Sequence, residues 1–76
     1  MKQAVKQRKM DKLTTKITQV DKQLDNTRRT FDELIRIVGN DSNIGRTSTI
    51  RYEYMKNLLN AKRQQYVNEL ELLQIK

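Results

Sequence analysis

The side chains in this sequence best suited to chemistry are its lysines and arginines, and they suit the binding of anions. There are 16 of them against 9 acids, for a formal net charge of +7. Five of them, Lys2, Lys6, Arg8, Lys9 and Lys12, stand in the first dozen residues beside a single acid, Asp11. Such a basic arm can grip phosphates and release their counterions, which makes binding salt-dependent. A second group, Arg28, Arg29, Lys62 and Arg63, forms a belt if the two halves of the chain pair at their middles. Guanidinium forks suit phosphate or carboxylate. Asp25, Asp32 and Glu33 lie within a helical turn of those arginines and compete for them.

Residues that turn over a substrate are harder to find. The sequence has no Cys and no His, which removes disulfides and the usual group for acid–base work near neutral pH. Ser42 and Ser48 have no evident base beside them, no Gly-rich phosphate loop is present, and no acids stand at calcium-ligand spacing. The expectation is a protein that is not an enzyme, with no cofactor, no metal and no small-molecule substrate.

The elements that must position these residues are helices. Proline is absent and glycine occurs twice, which permits long uninterrupted helix. In the first half the apolar residues are Met10, Leu13, Ile17, Val20, Leu24, Phe31, Leu34 and Val38. Their steps of 3, 4, 3 and 4, then 7, then 3 and 4 define a heptad with one polar member, Thr27. Residues so spaced share one helix face and mark a coiled-coil seam.

The cluster Gly39-Asn40-Asp41-Ser42-Asn43-Ile44-Gly45 is the one turn-rich stretch, and Gly39 fits a helix C-cap. Thr47, Ser48 and Thr49 offer N-cap oxygens for a second helix, with Glu53 near its positive end. In that helix Tyr52, Met55, Leu59, Tyr66, Leu70 and Leu73 form the stripe, flanked by Leu58, Ala61 and Val67 and interrupted by Lys62 and Arg63.

The expected fold is all-α, an antiparallel two-helix hairpin of coiled-coil type. It comprises a basic helical extension over 1–12, a helix over 13–38, a turn over 39–47 and a helix over 48–75, the hairpin as a whole covering 13–76. Folded at the turn, Leu34 meets Met55, Leu24 meets Tyr66, Val20 meets Leu70 and Thr27 meets Lys62, so facing position numbers total 89 to 90. The alternative is a parallel coiled coil of the first helix alone. A core this small supplies only ~3–5 kcal/mol unaided. The hairpin is therefore expected to be completed to a four-helix bundle by a homodimer or another protein.

The expected partner interface is the aliphatic cluster beside the turn: Leu34, Ile35, Ile37 and Val38, opposite Ile50, Tyr54 and Leu58. It implies a protein-interaction module such as an adaptor, co-chaperone or assembly subunit. The alternative is a basic nucleic-acid-binding regulator using Lys2, Lys6, Arg8, Lys9, Lys12, Arg28, Arg29, Lys62 and Arg63. The architecture is similar to the Rop-type RNA-binding hairpin dimer and to a small co-chaperone of type III secretion needles, likenesses of shape only. The short run Thr49-Ile50-Arg51-Tyr52-Glu53 resembles a stretch of MerR-type regulators, whose basic wing has no counterpart here. No segment has the ~20 apolar residues that span a bilayer, and the N-terminus lacks the apolar run of a secretory signal. Membrane binding is thus not expected, and the expected compartment is the cytoplasm.

Overall fold

A computed structural model describes residues 2–75 and consists of two helices, α1 (Lys2–Val38) and α2 (Asn43–Ile75), packed against each other. Together they form a rod of 57 × 15 × 11 Å. The two run antiparallel: the rings of Phe31 and Tyr52 stack with centroids 4.4 Å apart, Arg63 reaches Asp21, and the Lys16 ammonium lies 5.4 Å from the centre of the Tyr66 ring.

α1 follows its sequence pattern closely. Met10, Leu13, Ile17, Val20, Leu24, Thr27, Phe31, Leu34 and Val38 are all buried or half-buried. Most of the rest is exposed and polar, and it carries its own helical support. Arg29 pairs with Asp25 at 3.0 Å one turn away, and Arg28 with Asp32 at 3.8 Å. The hydroxyls of Thr14, Thr15 and Thr18 donate to carbonyls one turn back, at 2.9 to 3.0 Å. That bond accommodates threonine inside a helix where it would otherwise compete with the backbone.

The turn is shorter than the sequence suggests. Gly39 adopts the left-handed conformation (φ 82°), and its N–H donates to the Ile35 carbonyl at 2.8 Å, closing α1. Ser42, in place of Thr47, Ser48 or Thr49, is the N-cap of α2. Its Oγ accepts the Gly45 N–H at 2.9 Å and donates to the Gly39 carbonyl at 3.0 Å. One serine thus ties the end of the first helix to the start of the second. The turn expected over 39–47 therefore closes by Ser42, and residues 43–47 are helical. Glu53 lies well inside α2, where it pairs with Lys56 at 3.3 Å, and no acid occupies the first turn.

Gly45 explains why the turn-like composition misleads. It is buried, and a Cβ there would collide with the Gly39 carbonyl oxygen. Its missing side chain serves close approach inside a helix, not a loop conformation.

The early start of α2 shifts the register. Facing position numbers total 82 to 84, one heptad below the value expected from sequence. Leu24 therefore lies opposite Leu59, Ile17 opposite Tyr66, Leu13 opposite Leu70 and Met10 opposite Leu73. Thr27 faces Lys56 instead of Lys62. Met55, expected in the seam, is 43% exposed, and Lys56 and Arg63 take half-buried places there instead. Their stems cover apolar surface while the charges are satisfied at the edge. Lys56 lies 5.7 Å from the Tyr52 ring centre, and Arg63 Nε donates to Asp21 at 2.7 Å. Nor is the whole of 1–12 an overhang. Lys9 and Lys12 line a cleft with Glu69, Leu72 and Leu73, so they lie alongside α2.

Candidate protein-interaction surface

The seam buries little. Among the described residues only Leu13, Val20 and Leu59 are apolar side chains exposed by less than a tenth or so, at 7%, 3% and 9%. A compact monomer of 9.1 kDa would expose about 4,900 Å². This chain exposes 6378 Å². The surplus reflects the rod shape and a second apolar row that the hairpin leaves uncovered.

That row runs along the exposed side of α2, and at Leu72 it borders the cleft against α1. Tyr54, Leu58, Ala61, Gln65, Asn68, Leu72 and Ile75 recur at steps of 4, 3, 4, 3, 4 and 3. This is the same heptad spacing as the seam, turned to the back of the helix. Tyr54 is 65% exposed, Leu72 59% and Ile75 82%. No member carries a charge, so nothing in the row opposes desolvation as a buried ion would. Its polar members are Gln65 and Asn68, and Asn68 accepts a hydrogen bond from Gln64 at 2.9 Å.

Of the seven interface residues expected from sequence, Leu34, Ile35 and Val38 are half-buried. Ile37, Ile50, Tyr54 and Leu58 are exposed. Tyr54 and Leu58 belong to the exposed row, and Leu72 and Ile75, outside the expected interface, extend it. The signal was available: a second 3–4 repeat runs through α2 out of phase with the first. It is easily masked, because its Ala, Gln and Asn members do not register as apolar.

The basic belt divides. Arg28, Arg29 and Arg63 each engage an aspartate, at 3.8, 3.0 and 2.7 Å, which leaves them poorly placed to form one anion-binding site. Lys62 makes no ion pair among the described residues. In the basic arm Lys6 is half-buried, Arg8, Lys9 and Lys12 are exposed, and the side chain of Lys2 lies outside the described residues. Asp11, the one acid of that segment, accepts a hydrogen bond from Gln7 at 2.9 Å. Lys9, Lys12 and Lys16 rim a shallow cleft of about 380 Å³ floored by Leu13, Leu72 and Leu73, with Glu69 at its edge.

Among the described residues, no three acidic, His or Cys side chains converge as metal ligands would, and no helix is long and apolar enough to cross a membrane. Compared with known proteins, the chain matches no family model and has no significant match among curated proteins or solved structures.

Proposed function

We propose that this protein is a non-enzymatic interaction module, an adaptor, co-chaperone or assembly subunit that works by packing its helices against those of another chain. The observation that carries the reading is the uncharged, exposed apolar row of α2. Apolar patches left exposed on a small protein, here on either side of Gln65 and Asn68, mark an interaction site, and a row with heptad spacing is shaped for another helix. The seam supports the reading from the other side: it buries so little that a covering chain adds a large share of the total stability.

The test is retention of a partner by the immobilised full chain. Leu58→Asp and Leu72→Asp are expected to abolish retention while leaving the helical circular dichroism intact, and neutralising Lys6 and Arg8 is expected to leave it unchanged. Retention by the aspartate variants as strong as by the unsubstituted chain would sink the reading.

A second reading, nucleic-acid binding, draws on the three lysines gathered at Lys9, Lys12 and Lys16 and on the net charge of +7. Titration against RNA and DNA at two salt concentrations decides it. Binding whose salt slope falls by about one for each of these lysines neutralised would favour it.

A further inference from the structure

We infer that the occupant of the outward row is a second copy of this chain, with the two α2 helices antiparallel and Gln65 on the two-fold axis. The inference rests on the interaction reading above and names the partner for that same surface.

Register is the first argument. With facing numbers totalling about 130, Leu58 of one chain lies opposite Leu72 of the other, and Tyr54 opposite Ile75. Ala61 then lies beside Asn68, and Gln65 meets Gln65. Large apolar groups thus meet large apolar groups, and the amides gather at the centre. Paired polar residues within an apolar seam are a known way of fixing register. Shifting by one heptad in the direction that lengthens the overlap brings Arg51, which shares this face, against Leu72 and would bury a cation without an anion.

Charge is the second. Lys62 and Glu69 flank the row, both are exposed, and among the described residues neither makes an ion pair within its own chain. In the antiparallel register Lys62 of each copy faces Glu69 of the other, twice over by symmetry. In a parallel dimer each flank meets the opposite flank of the other chain, so Lys62 and Glu69 would face Asn57 and Gln64 and neither charge would find a partner.

Area is the third. The surface beyond that of a compact monomer is about 1,500 Å². A standard interface needs about 800 Å² from each partner. The covering therefore fits within what the rod leaves exposed, and it yields a bundle of four helices.

The native sequence has no cysteine, so single thiols report the register directly. Under mild oxidation of the full chain, Gln65→Cys is expected to form a covalent dimer at least roughly ten-fold faster than Leu58→Cys or Leu72→Cys alone. An equimolar mixture of Leu58→Cys and Leu72→Cys is expected to cross-link as the mixed dimer. Lys62→Glu should raise the dimer dissociation constant about ten-fold or more, and adding Glu69→Lys should restore it. Rapid cross-linking of Leu58→Cys to itself would mean a parallel pair and overturn the inference. So would a monomer in sedimentation of the unsubstituted chain at high micromolar concentration. In that case partner retention lost on Leu72→Asp would still uphold the interaction reading, whereas retention that survives it would end both.

Discussion

α1 and α2 are nearly the same length, 37 and 33 residues, and share one seam, yet they distribute their apolar residues differently. In α1 almost every large apolar side chain faces α2, and only Val5 and Ile37 stand strongly exposed. In α2 the apolar residues divide between the seam and the back, where Ile44, Ile50, Tyr54, Leu58, Leu72 and Ile75 are exposed. α1 turns threonines and paired charges toward water. α2 carries apolar residues on two sides, and α1 covers one of them. A helix apolar on more than one side is ordinarily buried on more than one side.

The largest effect that could break this contrast is a charge placed in each row. Val20→Asp puts a carboxylate at the most buried position, 3% exposed, at a cost of several kcal/mol, enough to unfold so small a protein. Helical circular dichroism is expected to collapse, whereas Leu72→Asp is expected to leave it unchanged at concentrations where the chain is alone. Equal loss in both would mean that the outward row is structural within one chain.

A milder comparison uses neighbouring leucines. Leu59→Ala should cost about 2–3 kcal/mol in urea unfolding, because it empties part of the seam. Leu58→Ala, half exposed, should cost no more than about 0.5 kcal/mol in dilute solution. With dimerisation that second figure grows as protein concentration rises, and its growth measures how much the back of α2 gains from cover.

At the turn, Gly45→Ala gains about 1 kcal/mol of helix propensity. It nevertheless pushes a methyl group against the Gly39 carbonyl oxygen. The net expectation is a loss of about 1–2 kcal/mol and a lower melting temperature, since the backbone there must move. The smallest effect is at the seam's edge. Asp21→Asn removes the partner of Arg63 from a pair whose side chains are 49% and 41% exposed. It should cost about 0.3 kcal/mol, and the difference from the parent should shrink toward zero in 1 M salt.

These residues also show what could be read without coordinates. The seam of α1 was fully legible, from Met10 to Val38, because Leu, Ile, Val and Phe at strict 3–4 spacing permit one reading only. Antiparallel pairing was legible too. Its register was not, and the reason lies in the repeat itself. Two heptad stripes give a constant total in every antiparallel alignment and a constant difference in every parallel one, so the total fixes no alignment, and the direction follows from the short Gly-bounded connection. Alignment depended on where α2 begins. Two features conspired there: Gly45 resembles a loop residue, and Ser42 lies inside a cluster that favours turns. Only the close contact with Gly39 shows that both belong to a helix start. The seam positions of Lys56 and Arg63 were hidden for a related reason. Long cations read as surface residues until their heads are seen resting on Tyr52 and bonded to Asp21.

The short turn has a kinetic consequence. Bridging two helices by way of Gly39 to Ser42 keeps the first cross-helix contacts close in sequence, and loops of this size close in about 10–100 ns. The hairpin should begin at that end, with Gly39 settling against Gly45, and zip outward through Phe31 and Tyr52 toward Met10 and Leu73. Folding should then be fast, as expected where contacts are local. Unfolding should run in reverse, from the open end. Amide exchange would record this as a gradient, with protection strongest between the turn and Val20 and fading over the last heptad, beside the three lysines. The same end of the molecule that gathers the most free positive charge is thus the one that opens first.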